Sequence, residues 1–215
     1  MKVRPREAAD RAAAEAFLAR HNSLRGARLG ELVHPLDHPA FVAETAGGRL
    51  AGMLTYLPGQ DWQQCEILTL HADQQWRGTG TALVEAAAQL ARRQGCTRLW
   101  VITTNDNVDA LRFYQRRGFC LVRVHRGAVD RSRACLKPEI PPVGAYGIPL
   151  RDEIELERPP LAGMPRGQRR GARINRTLAI RAGDPGHSAS RDQAITFAGG
   201  TSLPGCPARQ PRRGK

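Results

Sequence analysis

Long apolar runs are missing from this 215-residue chain, so no membrane-spanning helix is expected. The opening, Met1-Lys2-Val3-Arg4-Pro5-Arg6-Glu7, is charged and has no apolar segment behind it, so no signal peptide is expected either. The five cysteines (Cys65, Cys96, Cys120, Cys135 and Cys206) are odd in number and scattered, and none forms a Cys-x-x-Cys pair. That argues against a disulfide framework and against a zinc site, and the expected location is cytoplasmic. His34 and His38 stand four apart, but Pro35 and Pro39 oppose the helix that would put them on one face, so no metal is expected there.

Acidic residues are also scarce. Against 33 Lys and Arg there are 20 Asp and Glu, a net charge of +13. The imbalance is local: from Pro159 on there are eleven basic and two acidic residues, and before it 22 and 18. The same 57-residue tail is rich in Gly, Pro, Ala and Arg and has one aromatic, Phe197. It has too little apolar surface to offset its ordering entropy, and is expected to be disordered. Its charge would bind phosphate backbones without sequence preference. It lacks the interleaved aromatics of a base-stacking surface, so a nucleic-acid partner is the weaker expectation.

Over the whole chain 41% of residues are hydrophobic, enough for one core, and the segments that would build it lie in 1–158. Val3–Pro5 reads as a short strand. Ala8–Arg20 reads as an Ala-rich helix with Ala13, Ala16, Phe17 and Leu18 toward the core. The stretch 21–39 is expected to be mostly loop, with room for a second short helix. Two strands, 41–45 and 50–57, flank the hairpin signal Gly47-Gly48. Cys65 to His71 alternates and is rich in strand formers. From Thr81 the period becomes helical, with Leu83, Val84, Ala87, Leu90 and Ala91 on one face. A strand at 97–104, a helix from Asn107, a strand at 119–125, a short helix at 129–136 and a strand at 153–157 complete the order. Strands and helices so mixed imply an α/β fold on a mixed sheet.

Two segments carry chemistry. The first is Leu70-His71-Ala72-Asp73-Gln74-Gln75-Trp76-Arg77-Gly78-Thr79-Gly80-Thr81-Ala82, a strand, a glycine turn and a helix start. Small residues there let a phosphate approach the backbone, and the free N–H groups of the following helix point at it. Arg77 adds a forked cation. It is not a P-loop, since no Lys-Ser/Thr follows the second glycine, and the dinucleotide fingerprint is incomplete, with Leu83-Val84 where its last glycine would fall. The second segment is Asn107-Val108-Asp109-Ala110-Leu111-Arg112-Phe113-Tyr114-Gln115-Arg116-Arg117-Gly118-Phe119. Asn105-Asp106-Asn107 can cap the helix start, and Gly118 suits a left-handed cap at its end.

In order and about two dozen residues apart, these segments resemble the GNAT N-acetyltransferase family. Arg77-Gly78-Thr79-Gly80-Thr81-Ala82 fits its turn of Arg or Gln, two residues, Gly, one residue, Gly or Ala. Gln75-Trp76-Arg77-Gly78-Thr79-Gly80 fits it as well, so two registers stand. Asn107, Ala110, Phe113, Tyr114, Gly118 and Phe119 match the second pattern throughout.

The resemblance covers about Val3 to Arg158. It implies the acyl-CoA N-acyltransferase fold over 1–158, with a basic extension at 159–215. It implies acetyl transfer from acetyl-CoA to a primary amine of a small molecule or protein, with no metal. It assigns the pantetheine arm to the backbone of Leu70, His71 and Ala72 and the pyrophosphate to Gly78, Thr79, Gly80, Thr81 and Ala82 with Arg77. Asn107 would bond the cofactor's arm, Tyr114 would protonate the departing thiolate, and Glu66 would serve as base, with His71 its alternative by pKa. A homodimer is compatible with this reading. A non-catalytic acyl-CoA sensor is the other class to separate, and the acceptor has no motif of its own.

Overall fold

The structure is a computed structural model, and residues 1–74 and 77–159 are described. The expected disorder of the basic tail, and Gln75 and Trp76 of the second turn register, lie outside the described residues.

In chain order the elements are β1 (Lys2–Pro5), α1 (Arg11–Arg20), β2 (Gly26–Arg28), β3 (Glu31–Val33), β4 (Ala40–Glu44), β5 (Leu50–Pro58) and β6 (Gln64–Ala72). Then come α2 (Thr79–Arg93), β7 (Arg98–Thr104), α3 (Val108–Gln115), β8 (Cys120–His125), α4 (Ala128–Cys135) and β9 (Glu153–Arg158). Seven strands form one mixed sheet in the order β1-β4-β5-β6-β7-β9-β8. Every neighbouring pair is antiparallel except β6 and β7. A parallel pair needs a crossover, and α2 provides it. Among the described residues no helix is long and apolar enough to cross a membrane.

Period-2 alternation divides the core between the sheet's faces. On one face Leu54, Ile67, Leu99 and Leu156 pack with Leu83, Val84 and Ala87 of α2 and with Tyr114 of α3. On the other, Ala14, Phe17 and Leu18 of α1 pack on Val42 and Met53. Burying Phe17 and Leu18 completely contributes about 1.5–3 kcal/mol each.

Three expectations change. Helix α1 starts at Arg11, after a 3-10 turn at Ala8–Asp10, and buries Ala14 rather than Ala13 and Ala16. Positions 14, 17 and 18 are one helical stripe; Ala13 and Ala16 fall outside it. The stretch 21–39 is more than loop: besides a 3-10 turn at Pro35–Asp37 it holds the hairpin of β2 and β3, turned by Leu29 and Gly30 at φ 48° and 80°. That conformation suits a two-residue hairpin turn, but Leu-Gly is not the usual signal for one. Strand β6 does not alternate throughout. Its register with β5 shifts between Thr55↔Thr69 and Tyr56↔Ile67, leaving Leu68 as an extra residue. Without that bulge Ile67 and Leu70 would face opposite sides; with it both pack on the α2 side.

Candidate cofactor and active site

The site begins where a strand pair stops pairing. β6 and β7 are in register only from Gln64↔Arg98 to Ile67↔Val101. Both strands run on, β6 to Ala72 and β7 to Thr104, with β7 still paired to β9. The far half of β6 therefore keeps β5 on one side and, among the described residues, has no strand on the other. A cleft of about 540 Å³ lies at this end, lined by Leu70, His71 and Ala72 of β6.

The first turn of α2 forms its second wall. Gly78 is the N-cap at φ +84°, a left-handed conformation that glycine adopts without strain. The first helical bond runs from Ala82 N–H to Gly78 C=O at 3.0 Å. The N–H groups of Thr79, Gly80 and Thr81 precede that bond and have no acceptor inside the helix, and no side chain caps it. Gly80 packs closely on α3: a Cβ there would lie 3.3 Å from Cε2 and Cζ of Phe113. Three N–H groups at the positive end of a helix, backed by an aromatic ring, suit an anion.

Helix α3 supplies the third wall. Asn107 Oδ1 accepts from Ala110 N–H at 3.1 Å and so caps the helix. Its carboxamide nitrogen bonds nothing among the described residues. Tyr114 is 5% exposed, with its ring edge-on to Phe113 and Phe119 at 5.1 and 5.2 Å. The same residue lines the cleft, and its hydroxyl has no hydrogen-bond partner among the described residues. Burial raises its pKa above the ordinary phenol value, so the hydroxyl keeps its proton at neutral pH.

At the mouth, His71 Nε2 lies 2.8 Å from Ser23 Oγ and its ring stacks on His21 at 4.9 Å. Burial and the neighbouring His21 push its pKa down to about 4. Asp73 follows β6 and is held by Arg49 at 2.7 Å, Arg20 at 3.3 Å and His21 at 3.4 Å.

Glu66 lies apart from these. It is 2% exposed, on the opposite sheet face from α2, and does not line the cleft. Arg28 of the β2–β3 hairpin approaches it, Nε to Oε1 at 2.7 Å. The contact is an ion pair without hydrogen-bond alignment. Burial, only partly opposed by Arg28, raises the Glu66 pKa to about 7. Arg77 is exposed and, like Ala82, is not in the lining.

Leu70, His71, Ala72, Gly78, Thr79, Gly80, Thr81, Asn107 and Tyr114 thus meet in one cleft; Glu66, Arg77 and Ala82 do not line it. The motif reading passed over Phe113 as a wall, and also Asp109 and Arg117. For Phe113 and Arg117 the signal is present in the sequence: 110, 113, 114 and 117 follow helical spacing. Among the described residues no group of three or more His, Cys, Asp or Glu is arranged to hold a metal ion.

Comparison with known proteins bears on the family and the fold. The acetyltransferase (GNAT) family matches residues 7–119. A Bacillus subtilis (strain 168) protein, uncharacterized protein YdhI, is 44% identical over 115 residues, which are 53% of this chain and 69% of that one. A streptothricin acetyltransferase of Streptomyces lavendulae is 34% identical over 85 residues, 39% of this chain and 45% of that one. Among solved structures, a Bacillus subtilis acetyltransferase in complex with CoA has a TM-score of 0.53 at 19% identity, covering 74% of this chain and 97% of that one. The last likeness concerns the fold alone.

Proposed function

Because the chain belongs to the acetyltransferase (GNAT) family, we propose that it transfers an acetyl group from acetyl-CoA to a primary amine. The observation that carries this is the cleft at the unpaired end of β6, which brings the α2 N-terminus, Asn107 and Tyr114 together. The edge of β6 that β7 leaves open, Leu70 to Ala72, offers backbone groups to the amides of a pantetheine arm. The first-turn N–H groups from Thr79 to Thr81 would hold the diphosphate, with Gly78 giving it room and Arg77 and Ala82 flanking it. The Asn107 carboxamide nitrogen would bond the arm. Held this way, the thioester meets an amine at a fixed distance, which removes most of the entropy cost of a two-body reaction.

The attacking amine gains a bond to carbon and must lose a proton; the departing sulfur must gain one. Tyr114, protonated and in the cleft, is the acid for the sulfur. For the base, chemistry favours Glu66 and position favours His71. A base works best with a pKa near the working pH, and Glu66 at about 7 meets that condition. It would act through water, since it does not line the cleft. His71 lines the cleft but at about 4 is a weak base. The pH profile separates them: a limb in kcat near pH 7 supports Glu66, and one near 4 supports His71.

The function is tested by calorimetry with acetyl-CoA and by free-thiol release with a panel of amines. Streptothricin belongs in that panel because of the relative named for it. We expect micromolar-scale binding, about 8 kcal/mol, and thiol release with at least one amine. Binding without release for any amine would make the chain an acyl-CoA sensor. Absence of binding would remove the proposal.

A further inference from the structure

The β2–β3 hairpin is a small cover with little to hold it down. Its strands have three residues each and pair only with each other, outside the seven-stranded sheet. An isolated hairpin of that size is marginal in water. None of its residues from Gly26 to Val33 is fully buried, and Leu29 and Leu32 are each 37% exposed. It packs beside α4. Among the described residues, one hydrogen bond and one ion pair join it to the sheet. Leu29 N–H donates to Glu153 Oε2 at 2.8 Å, and Arg28 Nε lies 2.7 Å from Glu66 Oε1. Both anchors are carboxyl groups, on different strands, and each residue is 2% exposed. On either side of the hairpin the chain is fixed: Lys137 donates to the Arg25 carbonyl at 3.0 Å, and Pro35 is buried.

The seated hairpin leaves polar groups poorly matched. Arg28 Nε and Glu66 Oε1 are both buried, and neither has an aligned hydrogen bond. Trp100, registered with Glu66 on the neighbouring strand, has a buried Nε1 without a partner among the described residues. Unmet groups of this kind oppose the arrangement that buries them. Charge adds a second opposing force. Glu66 faces Arg28 and Glu31 of the hairpin, Glu155 of β9 and Arg98 of β7. Glu153 faces Leu29 N–H and Arg28 of the hairpin, His125 of β8 and Arg131 of α4. For both, burial outweighs the neighbouring cations and raises the pKa. The seated state therefore binds both protons more tightly than a lifted state in which the carboxyls meet water. For Glu66 that advantage is full below about 4.5 and is lost as pH rises through about 7.

We propose that the β2–β3 hairpin is a lid over Glu66, its seating coupled to the protonation of Glu66 and Glu153. Ionisation of either carboxyl favours the lifted lid, and a lifted lid opens Glu66 to water and to a ligand on that face of the sheet. The carboxyl is uncovered by the same ionisation that lets it accept a proton. The lid stands on the hairpin's own geometry; its bearing on catalysis rests on the acetyl-transfer reading above.

Amide hydrogen exchange tests this on the full chain without substrates, each rate divided by that of an unstructured peptide at the same pH. Leu29 is the direct reporter, since its N–H makes the bond to Glu153. We expect protection of Leu29 and its hairpin neighbours to fall by on the order of 10²-fold between about pH 5 and about pH 8. The amides of α2 should stay better protected throughout, because a lid opens without global unfolding. Glu66→Gln should remove most of the slope and Glu153→Gln part of it. Thermal midpoints check that each is folded; if one is not, the other and Arg28→Met carry the comparison. Arg28→Met should lower protection more at the upper pH than at the lower, because the cation matters only when Glu66 is ionised. An equal loss at both would make Arg28 a structural residue and overturn the proposal. So would protection independent of pH in the parent, a slope that both Gln variants keep, or hairpin amides that exchange together with α2. A parent that does not bind acetyl-CoA would instead remove the function proposed above and leave the exchange result standing.

Discussion

A single methyl group placed at Gly52 should damage the cofactor site from beneath. Gly52 is a buried residue of β5, paired with Ala72 of β6, under the start of α2. A Cβ there would lie 2.6 Å from Thr79 Cγ2, 3.1 Å from Leu83 Cδ1 and 3.2 Å from the His71 carbonyl oxygen. The first of these is shorter than van der Waals contact by about 1 Å, so either Thr79 or the whole first turn must move. Overpacking of this kind costs roughly 1–3 kcal/mol. The loss of backbone freedom in the unfolded chain offsets about 0.4–1 kcal/mol of that. We expect Gly52→Ala to lower the thermal midpoint by about 2–8 °C. CoA affinity should fall by about tenfold, because the displaced N–H groups are those assigned to the diphosphate. Thr79→Ser removes the clashing methyl and keeps the hydroxyl, which donates to Met1 Sδ at 3.2 Å. In the Gly52→Ala background it should restore most of both losses, although alone it should do little. Urea unfolding and calorimetry on the four proteins complete the cycle. Strict additivity, or a Gly52→Ala protein that matches the parent, would refute the packing argument.

Other outcomes follow from the site. Tyr114→Phe keeps the ring and its packing, so CoA binding should hold while kcat falls by about 10²-fold or more for an identified acceptor; an unchanged kcat would leave Tyr114 as a core aromatic. The Glu66 carboxyl has a folded-state pKa of about 7 against 4.5 for an ordinary glutamate, so the folded state binds its proton more tightly. Stability should therefore fall by up to about 3 kcal/mol as pH rises from about 4.5 through 7. The parent should show that slope relative to Glu66→Gln in denaturant midpoints taken across the range, and identical slopes would mean Glu66 ionises normally. Truncation after Pro160 should leave a folded, CoA-binding domain with its thermal midpoint within a few degrees; loss of folding would show that the basic segment is part of it.

What was legible in the sequence has a common physical origin. Turn, cap and period signals are local, so the α2 start was legible to within two residues, read from Thr81 and found at Thr79, and the α3 cap was legible within Asn105-Asp106-Asn107 and found at Asn107. Gly118, read as a left-handed cap, has φ +80°. What was not legible depends on pairing between distant segments. The β2–β3 hairpin turns on Leu29-Gly30, where no Asn or Asp announces it, and Leu29 N–H is tied to Glu153 Oε2 at 2.8 Å. That tie spans 124 residues. The position of Glu66 was similarly hidden. Alternation correctly sets it opposite Cys65 and Ile67, but only the hairpin reveals that Arg28 covers it.

The bulge at Leu68 explains why the cleft forms here. A strand of strict period 2 that buries Cys65 and Ile67 on the α2 side would also turn His71 to that side and Leu70 away. One extra residue reverses this for the last four positions. Leu70 then packs toward α2, where Gly80's missing side chain gives it space, and His71 turns toward Ser23 and α1. The same irregularity falls where β6 loses its pairing to β7, between Ile67 and Thr69. One inserted residue thus separates two chemical environments across a single strand. On one side are the glycine turn, Thr81 and Arg117, which donate hydrogen bonds and suit phosphate. On the other are His71, Ser23 and the buried Glu66, among which the proposed reaction would find its base. On the proposed function, a thioester held along the edge between them would have its leaving group on the first side and its attacker on the second.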